Sequence, residues 1–496
     1  MKFNFVLTIS LFVYFSAFTQ YFIYPYFSRL NSKIEFSINN NSIKPYLFDF
    51  KRNSNIANLD IKFARKDSSL GAFISPLINL DISHNSTFYS SCGLFSGIYY
   101  KKLTFQLNAI QHIIKPNMFY KEKIDSIELL PSIGKTNYKK DQLHFNTQFT
   151  YNLHWHTFNY LWFDVGYGKH FLGDGFRSMF LSENSSPFYY LKGTASIWKV
   201  KYIVLYSFLN EPSTKHFSLP YTRKNSTLHY LDMQLGKNFY INGFETVIWQ
   251  VKDSIGNRYI DINYLNPIIF FRPIEFSIGS PDNVILGAGF KIIFRKKWHF
   301  YSQFLLDEFK LSEWKTGRDW WGNKFGVESG IKTFHEFKDI KLFGRIEVNA
   351  IRPFCYSHSD YLRAWGNMHE PLAHYLGANF IEWIANFILE KKKFMFDFLG
   401  IYSRQGESTE NLNAGNNIYL SYNYNRQDYG NHLLVGRNTT VYYSNFSIYY
   451  LIKPSWQLRI FVKFENIFKS KESIKTTKDN FFSIGLSSRG VIYDRY

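Results

Sequence analysis

The polar groups best placed to meet a ligand sit in stretches rich in turn-forming residues. GYGKHFLGDGFRS at 166–178 offers Asp174 and Arg177, LNPIIFFRP at 265–273 offers Arg272, and GSPDN at 279–283 offers Asp282 and Asn283. Carboxylates and guanidinium groups form charge-assisted hydrogen bonds, so these five residues read as ligand-facing groups in a mouth or constriction. The competing reading makes Gly173-Asp174-Gly175 and Ser280-Pro281-Asp282-Asn283 turns closed by their own Asx side chains. A fourth stretch, HEPLAHYLGAN at 369–379, has the same composition.

Catalytic and metal chemistry find little support. The Gly-x-Gly run at 166–168 lacks the following helix N-terminus that a phosphate cradle requires. His154 and His156 share one face of a strand and make half a metal site, with no third ligand clustered beside them. Ser178 with His170 and Ser359 with His358 are unspecific pairs, and there is no Gly-x-Ser-x-Gly elbow or metalloprotease helix. Cys92 and Cys355 read as isolated thiols, too few for a disulfide framework and without zinc spacing. The expectation is a non-enzymatic protein with no metal and no cofactor.

The elements that would carry these groups are legible from a period of two. From Leu143 to Trp155 the odd positions are Leu, Phe, Thr, Phe, Tyr, Leu and Trp, and the even ones between are His, Asn, Gln, Thr, Asn and His. So long an alternation suits a tilted membrane strand with one face in lipid and one in a polar lumen. From Ser196 to Phe208, Trp198, Val200, Tyr202, Val204, Tyr206 and Phe208 oppose Lys199, Lys201 and Ser207. A lysine at the lipid midplane costs about 2–4 kcal/mol, which turns the lysine face inward.

The same split recurs around Lys291, Lys324 and Lys332, Lys341 and Arg345, and Arg459 and Lys463, with weaker versions that include 418–424. Residues 379–389 fit either a capped amphipathic helix or a strand, and the neighbouring strands favour the strand. Sixteen to twenty candidates, centred on an even eighteen, predict an all-β transmembrane antiparallel β-barrel of about 18 strands with long loops. A soluble sandwich would carry charges, not aromatic rings, on its outward face.

Composition agrees. Of 496 residues, 20% are aromatic and 45% hydrophobic, which excludes a disordered chain. The N-terminus has Lys2, an apolar run from Phe5 to Phe15 and small residues before Gln20, so 1–19 is expected to be a cleaved signal peptide. That run is shorter than the ~20 residues needed to span a bilayer. Residues 20–70 are expected to form a periplasmic or plug-like segment, and 71–496 the barrel in the outer membrane.

The net charge of +19 would ordinarily suggest nucleic acid. Export and the scatter of the basic residues argue against it, and a basic lumen would attract anions instead. Lys199, Lys201 and Arg345 therefore join the five loop residues as candidate ligand groups. Expected partners are the lipid bilayer with its lipopolysaccharide and acidic surface polysaccharide. An anion-selective porin, and a barrel subunit of gliding or secretion machinery, are the alternatives.

Residues 168–210, GKHFLGDGFRSMFLSENSSPFYYLKGTASIWKVKYIVLYSFLN, resemble the outer-membrane capsule-assembly (Wzi) family, especially its Bacteroidota branch containing the gliding-motility protein RemB. LNPIIFFRP, GSPDN, LLDEF at 305–309 and EPLAHYLGANF at 370–380 resemble the same branch in the same order. The resemblance implies an eighteen-stranded barrel without enzymatic activity, holding polysaccharide in the capsule branch and serving gliding and adhesion in the other. The irregular C-terminal tail RGVIYDRY departs from the strand pattern but ends in the aromatic Tyr496.

Overall fold

The computed structural model describes residues 70–84, 87–116, 121, 124, 128–212, 221–253, 256–268, 281–472 and 475–488, with the backbone of 21–24, 43–44, 46–49 and 61–64. The expected signal peptide at 1–19, most of 20–69, Arg272 and the tail 489–496 lie outside the described residues.

Eighteen strands follow one another around a closed wall. They are β1 Leu70–Ser83, β2 Phe88–Tyr100, β3 Leu103–Lys115, β4 Leu143–Phe158, β5 Leu161–Gly168 and β6 Phe188–Ile197. Next come β7 Val200–Glu211, β8 Thr222–Gln234, β9 Phe239–Gln250, β10 Asn283–Phe294, β11 Trp298–Glu308 and β12 Lys324–Phe337. The circuit ends with β13 Ile340–Ile351, β14 Phe380–Lys391, β15 Phe394–Glu407, β16 Arg437–Lys453, β17 Leu458–Lys471 and β18 Lys475–Ser487. Every pairing along this wall is antiparallel, and β18 returns to β1 from Ser483↔Ser83 to Ser487↔Asn79. Lys463 on β17 reaches across β18 to Asp81 on β1, at 2.5 Å, and to Glu465 at 2.9 Å, so an ion pair spans the closing seam.

Burial alternates as a lipid wall demands. Phe149, Tyr151, Leu153 and Trp155 are exposed on β4 while His144, Asn152 and His154 at alternate positions are buried inward. The eight connections at one end, from β2–β3 to β16–β17, have two to four residues, and β1 and β18 also begin and end there. Seven of the nine at the other end are long, which marks that end as extracellular and the short-turn end as periplasmic. Tyr100, Phe158, Tyr160, Trp198, Phe294, Phe337 and Phe394 ring the periplasmic edge as exposed aromatics. The same turns carry Lys101, Lys102, Lys199, Lys237, Arg295, Lys296, Lys297, Lys338, Lys392 and Lys393 against one acid, Asp339.

The strand reading of 379–389 holds, with Trp383 and Phe387 exposed and Glu382 buried inward. Two expectations need correction. The alternation starting at Ser196 crosses a turn, because Trp198 takes a positive φ of 55° and β7 begins only at Val200. Lys199 is therefore exposed in a periplasmic turn, outside the lumen. Residues 418–424 are loop, not strand. There Asn417 Oδ1 accepts from the Tyr419 N–H at 3.0 Å and Ser421 Oγ from the Asn423 N–H at 3.2 Å, local bonds that compete with a ladder.

Candidate functional site

Three long loops enter the lumen, and the one at 169–187 carries the candidate residues. It leaves β5, doubles back so that Leu172 and Leu181 are bonded backbone to backbone, and presents Gly173-Asp174-Gly175 deep among inward-facing side chains. Phe171–Leu172 also pairs with Ile43–Lys44 of the N-terminal segment. Asp174 receives Lys291 Nζ of β10 at 3.1 Å and Lys332 Nζ of β12 at 3.3 Å. Burial pushes its carboxyl pKa up, but the two ammonium groups outweigh that and hold it well below the usual carboxylate range.

Two wall residues grip the loop backbone. Glu347 on β13 accepts the N–H of Phe176 at 2.6 Å and of Arg177 at 3.1 Å, and is itself held by Tyr301 Oη at 2.8 Å and Asn349 Nδ2 at 2.9 Å. Gln303 on β11 accepts the Met179 N–H at 2.9 Å and donates to the Leu172 carbonyl at 3.1 Å. Hydrogen bonds to charged groups contribute about 1.5–3 kcal/mol each, which makes Glu347 the stronger anchor. Arg177 lies 3.6 Å from Glu382 on β14 and 4.3 Å from the Tyr375 ring centroid. Glu382 is bonded in turn to His374 at 2.7 Å and Tyr375 Oη at 2.9 Å.

The loop at 352–379 seals the layer above. Phe180 stacks on Phe244 with centroids 4.7 Å apart, and Trp365 Nε1 donates to the Phe180 carbonyl at 2.8 Å. Tyr356 Oη donates to the Met179 carbonyl at 2.7 Å, and all these residues belong to one buried apolar cluster with inner-wall Leu205, Leu228 and Tyr230. Glu370 ties a third loop to the first, accepting from Ser132 N–H at 2.6 Å and Ser186 N–H at 2.8 Å. Phe176 reaches the opposite wall, packing on Ile384, Leu399 and Tyr443.

The remaining candidates are dispersed. Asn283 faces inward and donates to the Arg363 carbonyl at 3.0 Å. Asp282 faces outward and binds Arg258 at 2.7 Å and Tyr264 Oη at 2.7 Å. Lys201 faces inward opposite Asp232 in register, and buried Arg345 lies 5.3 Å from the Phe343 ring. The structure thus brings Asp174 and Arg177 together with wall acids and bases as a loop anchor, apart from Asp282, Lys199 and Lys201. Arg272 lies outside the described residues.

The lumenal lysines are matched by acids, not arrayed as an anion trap. Besides the Asp174 pairs, Lys192 meets Asp164 at 3.2 Å, Lys224 meets Glu211 at 2.8 Å and Lys324 meets Glu308 at 3.0 Å. His154 binds Asp164 at 2.8 Å, and among the described residues no group of three or more His, Cys, Asp or Glu is arranged to hold a metal. Ser178 Oγ donates to the Leu172 carbonyl, and Ser359 lies 3.2 Å from His358 Nδ1. The alternation had marked Glu347 as inward and polar; its partners on a loop 170 residues away in sequence carried no local signal.

On the extracellular face, the loops at 309–323 and 408–436 form a shelf that the sequence reading missed. Arg426 lies 3.8 Å from the Trp321 ring centroid, Tyr422 lies 4.8 Å from it, and Lys324 is 4.7 Å from the Tyr422 ring. Arg318 covers Tyr429 at 3.9 Å, and Tyr424 is exposed beside them. His358 approaches Tyr422 at 5.6 Å; burial, with Arg363 and Lys324 nearby, lowers its pKa to about 4.

No family model matches the sequence, and no curated protein matches it. In fold the chain is similar to Wzi of Escherichia coli, an outer-membrane protein described as a carbohydrate-binding β-barrel involved in group 1 capsule assembly. The TM-score is 0.53 at 11% identity, covering 83% of each chain. OccAB2 of Acinetobacter baumannii aligns with a TM-score of 0.44 at 8% identity, over 87% of this chain and 98% of its own. OprD of Pseudomonas aeruginosa aligns with a TM-score of 0.42 at 9% identity, over 88% and 99%. A closed eighteen-stranded barrel with an apolar outer wall and a polar interior is an outer-membrane architecture, and the protein resides in that membrane.

Proposed function

We propose that this barrel holds acidic surface polysaccharide, as capsule or exopolysaccharide attachment or in gliding-associated adhesion, and does so without enzymatic chemistry. The observation that carries the reading is the loop packing inside the lumen, which leaves the extracellular loop face as the working surface. The described similarity of fold to a carbohydrate-binding barrel supports the same direction.

The shelf of Trp321, Tyr422, Arg426, Arg318 and Tyr429 has suitable chemistry. Aromatic rings offer apolar faces to the C–H side of a sugar, and a guanidinium pairs a uronate carboxylate in fork geometry. Asp174 and Arg177 then support the site from below by holding the loops, replacing the direct ligand contacts expected from sequence. Purified protein in liposomes is expected to retain an acidic exopolysaccharide, to release it in high salt, and to lose most retention on Trp321→Ala/Arg426→Ala. Equal retention by that variant would sink the assignment to this shelf.

The porin alternative needs a continuous water path. The inward loops favour a silent barrel, and a large anion-selective step in planar bilayers would restore the porin reading.

A further inference from the structure

Part of the outer wall carries polar residues that are buried although they face away from the lumen. On β8 and β9 the outward positions include Asn225, Thr227, His229 and Glu245, all buried. Their register neighbours Tyr206 and Val204 on β7, and Val284 and Leu286 on β10, face the same way. Polar side chains in the middle of a lipid wall call for a cover.

The cover is the segment after β9, which folds down outside the barrel. Asn225 Nδ2 donates to the Tyr259 carbonyl at 2.7 Å, Trp249 Nε1 to the Arg258 carbonyl at 3.0 Å, and Tyr206 Oη to the Leu265 carbonyl at 2.8 Å. Arg258 is neutralised by Asp261 at 2.5 Å and Asp282 at 2.7 Å, and Tyr264 is buried against Val247, Trp249 and Val284. Asp261 also satisfies the Asn263 N–H at 3.0 Å and its side-chain amide at 2.9 Å. Outward, the segment exposes Tyr259, Ile260, Ile262, Leu265 and Ile268, with Ile262 80% exposed.

Tyr206 stands six residues above the start of β7. At ~3.3 Å per residue and ~40° of tilt that is a height of about 15 Å, inside an apolar band ~25 Å tall. Irregular backbone at that depth survives only when its polar groups are satisfied by protein. Asn225, Trp249 and Tyr206 supply that satisfaction to three strap carbonyls, a pairing that water would make unnecessary.

We propose that residues 258–268 form a lipid-immersed strap whose Ile260, Ile262, Leu265 and Ile268 are covered by acyl chains of the outer leaflet. The strap continues the lipid-facing belt over a patch where the wall itself is polar.

Spin labelling in liposomes tests it. Ile262→Cys and, separately, Ile260→Cys are made on a Cys92→Ser background; Cys355 is buried. The exposed native Cys92 gives the lipid reference, and Trp198→Cys on the Cys92→Ser background, in a periplasmic turn, gives the aqueous one. Both strap labels are expected to collide several-fold more with oxygen than with a water-soluble nickel complex, as the Cys92 label does. Nickel-dominated collision like the turn label would place the strap in water and overturn the proposal. Protection from both reagents would place it under protein and overturn it equally.

Discussion

The carboxylate of Asp174 lies 3.1 Å from Lys291 Nζ, joining the tip of a loop to the inner wall of β10, 117 residues away. Lys332 Nζ shares the same carboxylate and also donates to the Asp174 main-chain carbonyl at 2.9 Å, so one acid serves two buried cations. Removing the carboxylate takes this ion pair from both lysines and leaves Lys332 its main-chain bond.

Asp174→Ala is expected to lower unfolding stability by about 3–5 kcal/mol, the cost of leaving buried charges uncompensated. The loop should also become protease-sensitive. Adding Lys291→Met should recover part of the loss; thermal unfolding of the single and double variants in detergent measures both, and an unchanged midpoint for Asp174→Ala would remove the anchor role.

Glu347→Gln keeps the shape but weakens the grip on the Phe176 and Arg177 N–H groups. The expected result is a higher ion conductance in the variant than in the wild-type barrel. Planar-bilayer recording checks this, and silence in the variant would mean the loop stays seated without that charge.

A methyl group at Gly287 would collide with the Phe180 ring inside the lumen, whereas one at Gly243 meets nothing within 4 Å. Gly287→Leu should displace the Phe180 layer and destabilise the barrel by about 1–3 kcal/mol through overpacking. Gly243→Ala should leave the unfolding temperature unchanged, and the difference between the two is the readout.

Asn379 has a positive φ of 57°, and its side chain donates to the carbonyls of Gly406, Ala414 and Val435 at 2.8–2.9 Å while accepting the Leu434 N–H at 2.7 Å. Asn379→Ala leaves several buried backbone groups unpaired at about 1–3 kcal/mol each. Limited proteolysis should then cut within 408–436, releasing the loop that carries Tyr422 and Arg426.

His358 is held neutral in the fold, with a pKa near 4 against an ordinary 6.5. The unfolded chain therefore takes up a proton first, and the contribution of neutral His358 is complete above about pH 6.5 and declines as pH falls toward 4. Unfolding scans across that window should show a decline that His358→Gln reduces.

The sequence alone determined the wall. A period of two with aromatic residues on one face and lysines on the other admits few structures besides a membrane barrel, because a misplaced lysine is expensive in lipid. That logic located β4, β10, β13 and β17, and favoured the strand at β14. It failed at Trp198, where a turn continues the alternation by coincidence, and at 418–424, where side-chain bonds to local backbone win over a ladder.

Only the tertiary structure decided what the charges do. Periodicity shows which way Lys291 and Lys332 point, but Asp174, which pairs with both, arrives on a loop whose path no local pattern encodes. The same holds for Asn225 on the outward side of β8, whose partner is the Tyr259 carbonyl of the segment after β9. The +19 becomes a matched lumen with a basic collar at the periplasmic turns. Strand direction is a local property of alternating side chains, whereas the Asp174 pairs join residues 117 and 158 apart, which the fold alone brings within 4 Å.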